Sequence, residues 1–304
     1  MTPAARALLQ QVGVELKELR QVRVQTGGLV VPDYAPAGEA KENGNGERQK
    51  QARPAARSRS RHPGRQGPPR RLRSTGSAPQ LRGVELRAHY EAQVVELQKA
   101  YPSARVVASD AGGMWLQVES AVLNGLDHTA TFLVAVPFSA DQFPKSWGFW
   151  NLEDGPTWIG RRHTNFADGS VCAFVPDSQT WTPGGRLDAL LDLYSVWALK
   201  QLHLAVFGRW PGGQFSPHPF YSLIEFGDDE LCSCKNEPPR HYGDCCKPDH
   251  LRQPLLALKA DFELKMRCRL IDRNPPQHIL DFIERGMDLL PVTDAIAGPA
   301  FINR

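Results

Sequence analysis

The chemistry this sequence offers is concentrated in its six cysteines, which fall into three sets: Cys172 alone, Cys268 alone, and Cys232, Cys234, Cys245 and Cys246 within fifteen residues. Two close pairs of thiolates joined by a short loop suit a closed tetrahedral zinc site. His241 and His250 lie near enough in sequence to be alternative ligands. Disulfides are disfavoured if the chain stays in a reducing compartment. Cys172 follows a polar stretch, His163-Thr164-Asn165-Phe166-Ala167-Asp168-Gly169-Ser170-Val171, and precedes Trp181-Thr182-Pro183. Taken alone, a thiol in a short apolar run is most often a small buried hydrophobe, and a lone histidine such as His163 is more often structural than a base. Cys268 falls on the face of an expected helix and reads as a core filler.

Positioning these residues requires a helix, a meander and a second helix. Leu8, Leu9, Val12, Leu16 and Leu19 have helical spacing over residues 4–22, and Gly27, Gly28 and Pro32 end that segment. A second helix is expected from Val84 to Tyr101, with Tyr90, Val94, Val95 and Leu97 on its apolar side and Pro102 closing it. The period then falls towards two. Arg105–Ala108, Met114–Glu119 and Thr129–Val136 read as strands separated by the turn residues Asp110-Ala111-Gly112-Gly113 and Asn124-Gly125. Phe138 to Gly155 reads as an irregular crossover, and Trp158–Arg161 as a fourth strand. Arg186–Phe207 carries a strong apolar helical register, and residues 254–271 and 277–290 predict two more helices. This order predicts an α+β fold with helices on one side of an antiparallel sheet.

The chain of 304 residues has 36 basic and 33 acidic residues, but the charge is unevenly spread. Ten arginines and Lys50 lie between Arg48 and Arg82, with no acidic residue among them, leaving 25 basic against 33 acidic residues elsewhere. Residues 36–80 are rich in Gly, Pro, Ser, Asn and Gln and poor in aliphatics. Too little apolar area is available there to offset chain entropy, so the segment is expected to be a disordered linker. Residues 48–82 are also candidates for nucleic-acid binding by counterion release, though without aromatic residues to stack on bases. No stretch reaches the ~18 apolar residues of a membrane span. The N-terminus lacks an apolar signal core, so the expected location is cytoplasmic.

The segment around Cys172 resembles the active-site segment of ubiquitin-conjugating enzymes. That family has His-Pro-Asn, a turn with Gly, Ile-Cys, then Trp-x-Pro before a helix. The similarity in element order runs from about Leu81 to Arg209. Thr164 stands where the family prefers proline, the Asn-to-Cys interval is one residue shorter, and Cys-to-Trp is one longer. The aromatic-rich crossover is similar to divergent bacterial members, several of which serve anti-phage conjugation systems beside cyclic-nucleotide synthases. The resemblance implies a transferase in which Cys172 accepts a ubiquitin-like or other protein C-terminus as a thioester and passes it to an amine. Sulfur suits this role, with a free pKa near ~8.5 and a thioester that amines can attack. It also implies that Asn165 donates to the oxyanion or braces the loop, and that His163 holds the loop by hydrogen bonds. Asp168 and Asp177 are the candidates to help deprotonate the acceptor lysine.

The cluster Cys232-x-Cys234, a basic loop with Tyr242 three residues before Cys245, and Cys245-Cys246 resemble the SEC-C metal-binding motif, with ten residues between the pairs in place of eight. Structural zinc is what that resemblance implies. The expected organisation is therefore an N-terminal helical docking segment (1–35), the Arg-rich linker (36–80), a ubiquitin-conjugating-enzyme-like domain (81–225), a zinc module (226–250) and a C-terminal helical extension (251–304). There is no G-x-G-x-x-G after a strand and no P-loop. Adenylation is thus not expected on this chain, and a separate activating component is implied as a partner, with a cyclic-nucleotide synthase as a further one. Two other function classes fit the same residues: a non-catalytic binding adaptor that keeps the zinc module, and a nucleic-acid-binding protein acting through the Arg-rich arm.

Overall fold

Why residues 83–158 make a sheet under a helix follows from where their apolar side chains fall. The computed structural model describes residues 23–25, 28–30, 83–120, 129–174, 180–234, 238–269 and 273–297. The helix expected over 4–22, the Arg-rich linker, the Asn124-Gly125 turn and Asp177 lie outside the described residues. Near the N-terminus, β1 (Arg23–Gln25) pairs antiparallel with β2 (Gly28–Val30).

Helix α1 (Gly83–Ala100) buries Leu86, Tyr90 and Leu97. Val95, expected on the same face, is 64% exposed. It follows Tyr90 by five residues, which is about 140° round the helix. Strands β3 (Arg105–Ser109), β4 (Gly113–Glu119), β5 (Ala130–Pro137), β6 (Lys145–Leu152) and β7 (Gly155–Trp158) then form a five-stranded antiparallel meander in sequence order. The β3–β4 turn is held by Asp110, whose Oδ1 accepts from the Gly112 and Gly113 amides at 2.6 and 3.0 Å.

Two sequence expectations are corrected here. The crossover expected to be irregular contains β6, and the next strand is Gly155–Trp158 rather than Trp158–Arg161. The reason is that β6 is covered on both faces, so it shows no apolar–polar alternation. Trp147 and Phe149 pack on one side. On the other, a Cβ at Gly148 would sit 2.9 Å from Phe132 and 3.2 Å from Trp197.

The second correction concerns layers. On one face of the sheet, α1 and α2 (Leu187–Phe207) pack against Met114, Leu116, Val118, Phe132, Val134 and Val136. The other face presents Trp115, Leu133, Ala135, Trp147 and Phe149, and is covered by Ile279, Val292, Ala295 and Ile296. Helices therefore lie on both sides of the sheet, which is why every residue of β5 is buried. Each such aliphatic side chain contributes roughly 1.5–3 kcal/mol of burial. Asp110 also accepts from the Val292 amide at 3.0 Å, tying the β3–β4 turn to the C-terminal segment.

A third core joins α3 (Pro219–Glu225) and α5 (Leu255–Met266) through Phe220, Tyr221, Phe226, Tyr242, Leu258 and Phe262, with the short α4 (Lys247–Leu251) contributing no buried residue. Cys268 packs half-buried against this core, but it lies beyond the end of α5 rather than on a helix face. The helix expected over 254–271 stops at Met266, where Arg267 turns left-handed (φ 50°). The one expected over 277–290 is shorter, α6 (Gln277–Arg285), ended by Gly286 at φ 67°, and a separate helix not expected from sequence, α7 (Val292–Ile296), opened by Pro291, follows it. The architecture is α+β.

Candidate functional site

The Cys172 segment folds back on itself. Thr164 and Val171 form an antiparallel bridge. The Asn165 amide donates to the Ser170 carbonyl (2.6 Å), Gly169 N–H to the Asn165 carbonyl (3.1 Å), and Cys172 N–H to the His163 carbonyl (3.1 Å). The tip between these arms is Phe166-Ala167-Asp168-Gly169. Both His163 (φ 53°) and Ala167 (φ 73°) take left-handed backbone conformations. Non-glycine residues rarely do so, and the strain, on the order of 1–3 kcal/mol, persists where the surroundings fix it.

The surroundings do fix it. Val171 N–H donates to the Ser146 carbonyl of β6 (2.7 Å). Trp147 Nε1 donates to the Asp168 carbonyl (2.7 Å), and Trp197 Nε1 of α2 to the His163 carbonyl (2.8 Å). The Asp168 carboxylate receives Lys145 Nζ (2.7 Å) on one oxygen and the Ser170 amide and hydroxyl (3.0 and 2.7 Å) on the other. Asp168 is thus committed to closing the turn. The Asn165 side-chain amide donates to Ser170 Oγ (3.1 Å) and to the Val171 carbonyl (3.4 Å), spanning the loop from inside.

His163 is stacked on Trp210, with ring centroids 3.6 Å apart, and its Nε2 lies 3.4 Å from Gln214 Oε1. Burial holds its pKa well below the usual imidazole value, and the Arg162 charge adds to the effect. A neutral ring is therefore the form present near neutrality. Arg162 pairs with Glu230, whose side chain is fully buried and also accepts from the Trp210 amide (2.6 Å) and Gln214 Nε2 (2.9 Å). This network anchors the start of the loop to the chain just before the first metal-cluster cysteine.

Cys172 itself is exposed, whereas the other five cysteines are half-buried. Dense packing on its protein side pushes the thiol above its ordinary value, and the charge of Arg273 opposes this. Beyond the loop, Trp181 is buried and donates Nε1 to the Arg186 carbonyl (2.8 Å) at the start of α2. Tyr90 and Gln93 of α1 bond the Gly184 and Leu187 amides (both 2.7 Å). The Trp-x-Pro segment thereby ties both helices together behind the loop.

The sulfurs of Cys232, Cys234, Cys245 and Cys246 all lie within 4.8 Å of one another, and the cluster can hold a metal ion. Cys234 and Cys245 are 3.3 Å apart, Cys245 and Cys246 3.9 Å. A tetrahedral zinc with Zn–S of ~2.3 Å would set its sulfurs ~3.8 Å apart, so the donor set fits. One cysteine pair is carried on a short antiparallel knuckle, with a Leu231–His241 bridge and Cys232 N–H donating to the Arg240 carbonyl (2.9 Å). The other pair precedes α4, with Cys246 at its N-cap position and no side-chain cap bond. Burial and the neighbouring thiols push the Cys246 thiol far up. Four sulfurs so close resist ionising together, and a divalent cation reverses that preference. His250 bonds the Tyr242 hydroxyl (2.9 Å), and neither it nor His241 belongs to the cluster.

The two sites share a wall. Phe166, at the tip of the Cys172 loop, meets Tyr221 and Phe262 edge-on (5.6 and 5.3 Å) in the core against which Cys232 and Cys246 pack. Arg273, Glu230, Gln214 and Lys145 were not candidates from sequence. Each lies 16 or more residues from its site partner or has no distinguishing neighbours, so no local spacing marks it. No protein-family model, curated protein or solved structure matches the chain. No helix among the described residues is long and apolar enough to cross a membrane.

Proposed function

We propose that this protein is a transferase resembling ubiquitin-conjugating enzymes, using Cys172 as its nucleophile and the four-cysteine cluster as a structural zinc site. The observation that carries the reading is Cys172 itself: the exposed cysteine of the six, presented at the end of a strained loop that is pinned to β6, to α2 and to the metal module. Strain held in place at an accessible thiol is the pattern expected of a functional site rather than of packing.

In this reaction the Cys172 thiolate attacks the carbonyl carbon of a protein C-terminus activated elsewhere. The activating group leaves and a thioester forms. An acceptor amine then attacks the same carbon, the Cys172 sulfur departs as thiolate, and the amine proton passes to solvent or to a base. The neutral His163 ring and the committed Asp168 carboxylate act as braces. Asn165 braces the loop through Ser170 and Val171, so its removal should depress loading and transfer together. The separate activating component, the cyclic-nucleotide synthase as acceptor, and a place in anti-phage defence follow from the family resemblance. A cytoplasmic location belongs to the same reading.

Zinc would be held by Cys232, Cys234, Cys245 and Cys246, where it neutralises thiolates and supplies folding free energy. The adaptor reading is the second choice. It is favoured by the Asn165 amide being turned into the loop, which leaves oxyanion stabilisation to be supplied otherwise. The test is to supply a candidate activating component and donor and look for a thiol-sensitive adduct on Cys172. Cys172→Ser should give a more persistent oxyester and Cys172→Ala none. An adduct that survives in Cys172→Ala would leave the adaptor reading in front.

A further inference from the structure

Arg273 is the most anomalous charged residue among those described. Its side chain is fully buried, yet only Nη2 has a hydrogen-bonded partner, Glu225 Oε1 at 2.5 Å. Nε and Nη1 are buried without one. A buried guanidinium normally satisfies its donors, and one left partly unsatisfied costs stability. The guanidinium lies instead over two aromatic faces, Phe166 at 4.9 Å and Tyr221 at 5.5 Å. Desolvated cation–π contacts of this kind offset part of that cost.

The chain following Arg273 is pressed onto the same loop. A Cβ at Gly169 (φ 61°) would come 2.8 Å from the Asn274 carbonyl carbon and 3.0 Å from Pro275 N. Arg161 Nη2 donates to Asn274 Oδ1 at 3.2 Å. Residues 273–275 therefore close over the loop tip, and Phe166 contacts both the guanidinium and the Phe262 ring.

We propose that Arg273 is a positioning residue for Cys172: its buried guanidinium, stacked on Phe166, locks the tip of the loop that carries the sulfur. The functional weight of this rests on Cys172 being the nucleophile. Most other charges around the loop are spent locally, while exposed Arg161 bonds the neutral Asn274 side chain and Lys200 lies over the Trp210 ring. Lys145 pairs with Asp168, Arg162 pairs with Glu230, and His163 is held neutral. Arg273 has Glu225 opposite it, and its positive charge acts against the burial that pushes the Cys172 thiol up. A conventional surface arginine would be screened by water and salt, whereas a fully buried one is screened much less.

The test needs no donor protein. Metal-loaded full-length chain is treated with iodoacetamide across a pH series, and alkylation of Cys172 is followed by peptide mass spectrometry. Arg273→Met, which keeps bulk and removes charge, should move the midpoint of the Cys172 profile upward and slow alkylation several-fold near neutrality. Arg273→Lys should restore much of the midpoint while losing the flat stack on the rings. Glu225→Gln removes the opposing charge and should move the midpoint the other way, so the sign reversal reads the field even if Arg273→Met folds poorly. A midpoint unchanged in every folded variant would overturn the proposal and reduce Arg273 to packing. If the midpoint moves but no conjugate ever forms on Cys172, the transferase reading fails and this one stands.

Discussion

Cysteine does opposite things in two regions of this molecule that share a wall. At the loop, a single sulfur reaches solvent on a backbone strained at His163 and Ala167, with its thiol pushed up by dense packing. At the cluster, four half-buried sulfurs face one another within 4.8 Å. The difference separates a thiol open to solvent from thiols placed to share an ion: access and isolation in the first case, convergence in the second. Phe166 connects them, so the region suited to binding a metal also props the region suited to reaction.

Removing the metal should produce the largest effect. Structural zinc supplies on the order of 10 kcal/mol in small zinc domains. Cys234→Ser should therefore lose the metal and strip hydrogen-exchange protection from the core around Tyr242 and Phe262, whereas Cys172→Ser should retain about one zinc per chain by metal analysis. Equal metal content in both variants would erase the distinction between the two regions.

Phe166→Ala should come next, at about 3–5 kcal/mol by denaturant titration, because it empties a site walled by Phe262, Tyr221 and Arg273. It should also perturb Cys172 alkylation and leave bound zinc in place, if the support runs from the cluster to the loop. Loss of zinc in this variant would reverse that direction. Asn165→Ala breaks two internal bonds of the loop, worth about 1 kcal/mol each. Thioester loading and transfer to lysine should fall in parallel. A selective loss of transfer alone, roughly a hundredfold or more, would instead give Asn165 the oxyanion role.

The smallest effect concerns acid. His163 is held neutral when folded but takes a proton near pH ~6.5 when unfolded. Below that pH the unfolded chain binds the extra proton, so stability falls as pH drops through the window, by at most ~1.4 kcal/mol per pH unit. His163→Gln should flatten the acid side of the stability–pH curve by up to one proton relative to the native chain. An identical slope in both would show that His163 is not the buried neutral group.

Much of the frame was legible because its signals are local. The spacing of Tyr90 and Leu97, the β-branched run of β5, the Asp110 turn and the register of α2 all report on neighbouring residues. β6 was not legible, because Trp147 and Phe149 are covered by helices more than a hundred residues later in the chain and no polar face remains to mark a strand. The cysteine cluster could be read from its spacing. Arg273 and Glu230 could not: their partners Glu225 and Arg162 lie 48 and 68 residues away, and a single buried charge leaves no periodic trace. Thr164 and Val171 show a similar limit, since the bridge between them depends on β6 being present to receive Val171.

The central claim is that Cys172 is the nucleophile, and intact-protein mass spectrometry of the metal-loaded chain, mixed with activating component and donor, tests it most directly. The expected result is one donor added per chain, mapped to Cys172, released by thiol reductant, converted to a reductant-resistant species in Cys172→Ser and absent in Cys172→Ala. A donor adduct that maps elsewhere, or that forms equally on Cys172→Ala, would contradict it.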